Sequence, residues 1–489
     1  MTGPVVDWVL LDDIQLTTDG AALHYDAPLD AAPGCAERLR RHKSELIEWL
    51  TTPDSDGVCS RHPLSYYQVR QWTRHTQHPD PSIYNVRWEV ELDGPVRPAA
   101  LADALTALVA RHEALRTRFV RRGGQVVAEV MSPTAVALPV MEKSDPRPST
   151  VDSAFDLTVA PLLRAALVRR GADAWTLLLV LHHLACDHTT LAILLDDLSA
   201  LYRGDPLGDP VPYAGFARWE RRTLDDPGER ERLLRYWRAN LAGAELRPPL
   251  PTDRPRPAVR SGRGAEHRFT VDGDVVRNVD AVARRCGGTR YTVLCAAFAL
   301  LLGRLTGRTD VVVISSSTSR TRREDERAVG VFTDALALRV RLDRAATLAD
   351  LVGEVGRTVF AALDNRPMPL AVLVADLEAA PAADPDAVPA PEGTPPVPTV
   401  LFTVLGGDPP VPHLPGVTAT VVPGPPATVA RMELYLTVQP YQGGLLGSVE
   451  YATDLFDAAT VERWSARFAR LLAAIDPSAT DRPVADLPG

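Results

Sequence analysis

The sequence predicts an α/β protein of two lobes preceded by a small α/β unit, and three observations carry that reading. At 489 residues the chain is too long for one hydrophobic core. Between about residue 60 and about residue 475, amphipathic helices alternate with strongly apolar strand-length runs. The theme occurs twice, which gives lobes of about 170–230 residues each. Residues 1–52 carry a hairpin and helix pattern of their own, followed by the polar, proline-containing stretch Thr51 to Gly57.

The elements follow in order. Val5 to Leu11 is a short apolar helix candidate. Ile14-Gln15-Leu16 and Leu23-His24-Tyr25 read as two strands joined at Thr18-Asp19-Gly20, an Asp-Gly turn. Cys35 to Leu50 reads as a helix with Leu39, Leu46, Ile47 and Leu50 on one side and Arg38, Arg40, Arg41 and Lys43 exposed. In the first lobe, Pro98 to Val109 is a helix with Leu101, Leu105, Leu108 and Val109 at helical spacing. Trp175 to Leu181 has the unbroken apolar character of a strand buried on both faces, and Thr189 to Tyr202 returns to helical spacing. After the proline-rich connector Pro248 to Pro257, the second lobe gives a helix at Thr292 to Leu305 stopped by Gly307 and a strand at Val311 to Ile314. A final helix, Ala458 to Ile475, has Val461, Trp464, Phe468, Leu471 and Leu472 as its apolar face. Glu378 to Pro398 is rich in Pro and Ala and reads as a loop.

Composition narrows the function. The balance of 45% apolar and 24% charged residues is globular, and a net charge of -9 makes neither nucleic acid nor anionic lipid the default partner. Lys43 and Lys143 are the only lysines, so positive charge is almost entirely arginine. Asp7, Asp12 and Asp13 interrupt the first apolar stretch, unlike an export signal. The longest apolar runs, such as Leu294 to Leu302, are about half the ~20 residues of a membrane helix. Cys35, Cys59, Cys186, Cys286 and Cys295 are scattered without Cys-x-x-Cys spacing, which argues against a disulfide scaffold or structural zinc and for a reducing cytoplasm.

The densest chemical cluster is Leu181-His182-His183-Leu184-Ala185-Cys186-Asp187-His188. It stands where a buried strand ends, which is where α/β sheets place their sites. A neutral imidazole there can accept a proton from an attacking amine or hydroxyl. Two alternatives stay open: a structural pair with one histidine buried and one solvated, and a metal site of His183, Asp187, His188 and Cys186, whose spacing fits no known zinc pattern. There is no Gly-x-Ser-x-Gly elbow and no phosphate loop, so direct acyl transfer fits better than a covalent acyl-enzyme.

On these residues the sequence resembles the condensation domain of nonribosomal peptide synthetases, a chloramphenicol-acetyltransferase-like family with the signature His-His-x-x-x-Asp-Gly. The resemblance spans about residues 60 to 475 in motif order: Ser65-x-x-Gln68-x-Arg70-x-Trp72 with Tyr84-Asn85, then Arg111 to Phe119, then Tyr213-x-x-Phe216-Ala217-x-Trp219 with Gly215 where aspartate is usual. Leu250 to Pro257 resembles the interlobe connector, and Val329-Gly330-x-Phe332-Thr333-Asp334 is the fifth motif with Asp334 in place of asparagine. Asn365 with Pro369, and Leu401-Phe402, are remnants of the sixth and seventh.

The resemblance implies two chloramphenicol-acetyltransferase-like lobes in a V-shaped pseudo-dimer, at residues 63–240 and 241–476. An upstream donor carrier protein would deliver an acyl or peptidyl phosphopantetheine thioester, and a downstream acceptor carrier protein an aminoacyl group whose α-amine attacks it. No cofactor would be bound by the chain itself. By family analogy His183 is the catalytic histidine, while His182 and Asp187 shape the site. Asp187 would form a salt bridge, with Arg116 preferred and Arg111 or Arg320 as fallback, and His112 is expected to be a solvent-facing cap. Residues 1–52 resemble docking domains of tubulysin-synthetase type, which bind a short acidic carboxyl-terminal peptide of the upstream synthetase. Leu23 to Asp26, including Leu23 and Tyr25, would be the receiving strand, and Arg40, Arg41 and Lys43 the nearby charge. Residues 53–62 would then be a linker, and 477–489 the start of a linker to a following adenylation domain. The signature departs from the family at His188, where glycine is usual. An imidazole there would narrow a substrate tunnel and tune selectivity, or would mark a non-catalytic carrier-protein platform.

Overall fold

A computed structural model of the chain describes residues 14–18, 22–26, 35–51, 57–78, 80–122, 125–144, 151, 153–379 and 399–488. The expected helix at Val5 to Leu11, the Asp19-Gly20 turn and residues 380–398 of the Pro- and Ala-rich stretch lie outside the described residues.

The chain forms two compact units, residues 1–226, 320–332 and 410–424 in the first and 227–319, 333–409 and 425–489 in the second. They differ from contiguous lobes at 63–240 and 241–476 for local reasons. Helix 227–241 joins the second unit, where the Trp237 indole N–H donates to the Asn365 carbonyl (3.0 Å) and Arg238 pairs with Asp376 (2.7 Å). Segments 320–332 and 410–424 join the first, where Val331 and Phe332 are fully buried and a strand at 418–422 extends the sheet.

The first unit opens with an antiparallel hairpin, β1 (Gln15–Thr18) and β2 (Leu23–Asp26), that sets Leu16 opposite Tyr25. Helices α1 (Cys35–Arg41) and α2 (Lys43–Thr51) follow, so the single helix expected from Cys35 is interrupted at His42. Ile14, Leu39 and Leu46 make a small core of their own, while Arg38, Arg40, Arg41 and Lys43 are exposed.

Beyond it, β3 (Val58–Pro63) leads into α3 (Tyr66–Gln77), β4 (Asn85–Asp93) and α4 (Pro98–Arg111). Next come β5 (Thr117–Arg122), β6 (Gln125–Met131), β7 (Val140–Glu142), β8 (Leu163–Arg169), β9 (Ala174–His182), α5 (His188–Arg203) and α6 (Tyr213–Asp225). Strands β3, β6 and β5 form one sheet. With β14 (Thr418–Val422), the others form a second in the order β14-β4-β9-β8-β7. The apolar run at Trp175 to Leu181 explains the placement of β9 between two antiparallel neighbours: Leu177 to Leu181 are all buried, which a strand open to water on one face would not tolerate. The core formed around it includes Leu105 and Leu108 of α4 and Leu191, Leu194 and Leu198 of α5.

The second unit has one six-stranded sheet, ordered β10 (Gly264–Val271), β16 (Gly444–Ala452), β15 (Leu434–Tyr441), β13 (Val400–Val404), β11 (Asp310–Thr318) and β12 (Thr333–Arg341). Its helices are α7 (Pro227–Leu241), α8 (Gly273–Arg285), α9 (Arg290–Thr306), α10 (Leu348–Asp364), α11 (Leu370–Ala379) and α12 (Ala458–Ala473). Phe298 of α9 stacks on Phe402 of β13 (5.0 Å between centroids) and meets Phe468 of α12 edge-on. Gly307 ends α9 in the left-handed conformation (φ 70°) that glycine adopts without a Cβ clash. The connector is anchored here: Asp253 accepts from the Asp457 N–H and the Thr460 hydroxyl at the start of α12, and Arg256 pairs with Glu433. Asp334 accepts from the Leu370 N–H (2.9 Å) at the start of α11, a capping role that suits a carboxylate. Residues 477–488 lie against this unit, with the Arg304 guanidinium donating to the carbonyls of Val484, Leu487 and Pro488.

Candidate active site

Strand β9 delivers His182 at its last position and His183 one residue beyond, and α5 begins at His188, so a five-residue turn carries the cluster. Backbone bonds fix its entry: the His182 N–H donates to Leu162 O (3.1 Å), His183 N–H to Tyr84 O (2.9 Å) and Ala185 N–H to His182 O (2.9 Å).

The two histidines are held differently. His183 is partly buried, and its Nδ1 lies 2.9 Å from the Cys186 carbonyl oxygen. That oxygen can only accept, so Nδ1 carries a proton. His182 is fully buried; its Nδ1 accepts from the Leu184 N–H (3.0 Å) and its Nε2 lies 3.1 Å from His75 Nδ1 on α3. Burial holds His182 well below the usual histidine range, and the neighbouring His75 and His183 push the same way. A fully buried histidine followed by a partly buried one is therefore the arrangement found.

Asp187 is the N-cap of α5. Its Oδ1 accepts from the Thr190 N–H (2.7 Å), and its Oδ2 from the Phe332 N–H (2.9 Å). Its cationic partner is Arg320, at 3.4 Å with both side chains almost fully buried. The expectation of Arg116 is thereby corrected. Arg116 donates to the carbonyls of Ala110 and Met131 and sits near Glu113, so its guanidinium is turned into its own turn and β6. Arg320 also donates to the Thr190 hydroxyl and to the carbonyls of Asp325 and Ala328, and it lies over the Phe332 ring at 3.8 Å.

The motifs that are distant in sequence converge behind this clamp. The Tyr213 hydroxyl donates to Val331 O (2.6 Å) and lies 2.8 Å from the Ser65 hydroxyl, whose oxygen also accepts from the Gln68 N–H to cap α3. A carbonyl cannot donate, so the shared Tyr213–Ser65 proton belongs to Ser65. Tyr213 and Phe216 pack on Phe332. A Cβ at Gly330 would overlap the Tyr213 ring, so this position needs glycine for the close approach.

His112 is likewise not a solvent-facing cap. It is buried, with Nε2 2.9 Å from Asp197 Oδ2 on α5, and Arg111 and Arg327 pair with the same carboxylate. Burial opposes ionisation of Asp197, but the His112 and Arg111 hydrogen bonds outweigh it and bring the carboxyl down to about 2.

His188 is half-buried at the first position of α5, and burial lowers its affinity for a proton against the pull of Asp187. Burial pushes the Cys186 thiol well up, which makes it a poor nucleophile. Among the described residues no group of three or more His, Cys, Asp and Glu side chains is placed to hold a metal ion. No single described helix is long and apolar enough to cross a membrane. In the amino-terminal hairpin, Leu23 packs toward the small core, Tyr25 is 48% exposed, and Arg41 lies 3.6 Å from Glu37.

Sequence reasoning missed His75, Thr190 and the His112–Asp197 contact. Gln68, Gln71 and His75 share the buried face of α3, and a polar face of that kind leaves no apolar periodicity in the sequence.

Residues 59–387 match the family model described as Condensation domain. The chain is 32% identical over 440 residues to a linear gramicidin synthase of Brevibacillus parabrevis, an alignment covering 84% of this chain and 6% of that protein. It is 32% identical over 450 residues to phosphinothricin tripeptide synthetase PhsC of Streptomyces viridochromogenes, covering 86% of this chain and 39% of that one. The chain thus spans well under half the length of either relative. Among solved structures, the X-domain from teicoplanin biosynthesis superposes with a TM-score of 0.74 at 25% identity, covering 89% of this chain and 98% of the X-domain.

Proposed function

We propose, for a chain that belongs to the condensation-domain family of nonribosomal peptide synthetases, that it catalyses amide formation between two carrier-bound thioesters. The donor is an acyl or peptidyl group on the phosphopantetheine of an upstream carrier protein. The acceptor is the α-amine of an aminoacyl thioester on a downstream carrier. The amine nitrogen bonds to the donor carbonyl carbon, the carbon–sulfur bond breaks, and the amine proton ends on the departing thiol.

One observation carries the reading: the His183 imidazole is locked by its Nδ1–H bond to Cys186 O, which in the neutral ring makes Nε2 the basic nitrogen, on a turn whose far end is clamped through Asp187. Such a nitrogen either takes the amine proton as the carbon–nitrogen bond forms or holds the amine in line for attack. The Asp187 carboxylate accepts bonds from backbone and Arg320, so its role is to hold the turn. The test is intact-mass detection of extended product on an aminoacyl-loaded acceptor carrier mixed with loaded donor carrier. Product with wild type and none with His183→Ala is expected; equal product from both would contradict the assignment.

The amino-terminal hairpin is the docking element in this account. The Leu23–Asp26 strand offers a backbone edge for an added strand, and the exposed Arg40, Arg41 and Lys43 favour an acidic peptide. Titration of the chain with an acidic peptide, against a variant with Arg40, Arg41 and Lys43 changed to Glu, is expected to show binding only by the wild type. Equal binding by both would remove the charged face from the account.

A further inference from the structure

We infer that His75 is a positioning residue for the reaction proposed above: its unprotonated Nδ1 fixes the tautomer of His182, and through the turn that His182 closes it holds His183 in its working tautomer. The inference rests on the condensation reading for its consequence, but the geometry stands by itself.

Leu184 N–H can only donate, so the His182 Nδ1 that receives it at 3.0 Å must be bare, and the His182 proton sits on Nε2. That Nε2–H meets His75 Nδ1 at 3.1 Å, so His75 Nδ1 must accept. The rings stand edge to face at 4.9 Å between centroids, with His182 fully buried and His75 9% exposed. The 182–186 turn is then closed by three bonds: Leu184 N–H to His182 Nδ1, Ala185 N–H to His182 O, and His183 Nδ1–H to Cys186 O. His75 therefore stands behind the turn as the acceptor of the His182 Nε2–H, which together with the Leu184 N–H keeps the His182 proton on Nε2.

Protonating His75 reverses that order. Its Nδ1–H would then face the His182 Nε2–H, two donors with no acceptor between them. Relief requires His182 to move its proton to Nδ1, where it meets the Leu184 N–H instead. The groups around His75 are His182 from β9, the Tyr84 ring at 6.4 Å, and Asp156, whose field favours the charged form. Burial is the larger influence and keeps His75 below its ordinary value of 6.5. The neutral state is thus the resting one, and acid breaks the chain.

The experiment reads the imidazole nitrogens of His75, His182 and His183 by nitrogen-15 NMR in the full chain, assigned by single substitution, beside the product-formation rate. Wild type is expected to show His182 protonated on Nε2 and His183 on Nδ1. His75→Asn places an amide oxygen near the Nδ1 position and is expected to keep both tautomers and the rate within about twofold. His75→Leu removes the acceptor; mixed tautomers at His182 and His183 are expected, with kcat lower by about 10-fold at unchanged KM, the scale on which losing an orienting partner affects a working histidine. On acidification of wild type, the His182 and His183 signals should move together with His75. In His75→Asn they should not move at that pH, a comparison that needs only folded proteins. A His182 protonated on Nδ1 in wild type, or His182 and His183 signals indifferent to His75, would overturn the inference. Absence of product from every variant would count against the condensation reading, while the nitrogen shifts would still decide the pair.

Discussion

Arg320 and Asp187 are 133 positions apart in sequence and 3.4 Å apart in the first unit, and their contact ties the segment 320–332 to the turn that carries His183. The pair is buried and held by further hydrogen bonds on both sides. Removing one member leaves the other charge without its partner, which costs more than the pair itself contributes. Asp187→Ala is expected to destabilise the chain by about 3 kcal/mol in urea unfolding, since it also removes the α5 cap and the Phe332 N–H acceptor. Arg320→Ala should cost less, because Asp187 keeps two backbone donors. An Asp187→Ala protein as stable as wild type would refute the clamp.

Gly330 and Tyr213 make the second expectation. Gly330→Ala drives a methyl into the Tyr213 ring and should destabilise by about 1–3 kcal/mol, as overpacking does in dense cores. Tyr213→Phe keeps the ring and loses only the bonds to Val331 O and Ser65, a change of about 1 kcal/mol. Thermal unfolding ranks the two, and a Gly330→Ala protein less perturbed than Tyr213→Phe would contradict the packing described.

Asp197 gives a pH dependence with a definite sign. Its carboxyl is depressed in the folded chain, so the stabilisation is present above its ordinary 3.8 and is lost as pH falls from there toward about 2. The stability difference between wild type and Asp197→Asn should therefore be largest at neutral pH and shrink through that window. A difference that stays constant from neutral pH to about 2 would exclude the clamp of His112, Arg111 and Arg327 on Asp197.

Much of this was legible in the sequence, and the failures share one cause. Periodicity located β9, α4, α5, α9 and α12 because each buries an apolar stripe or run whose spacing is local information. The His182–Asp187 turn was legible because both of its anchors lie within six residues. Arg116 was preferred over Arg320 because nothing in the chain says that a guanidinium 133 positions away folds back onto Asp187. His112 looked like a cap because its apolar helix stops there, and its partner Asp197 is 85 residues on. The same holds for the units: segments 320–332 and 410–424 return to the first unit with no shift in composition to mark the crossing.

The most direct measurement is single-turnover condensation with loaded donor and acceptor carriers, comparing wild type with His183→Ala. Loss of a general base or amine-orienting group is worth about 100-fold or more, so the account requires a rate constant at least that much lower at matched carrier concentrations. His183 is only partly buried, so losing its bond to Cys186 O should cost about 1 kcal/mol and leave the variant folded. A folded His183→Ala protein that forms product at the wild-type rate would contradict the central claim.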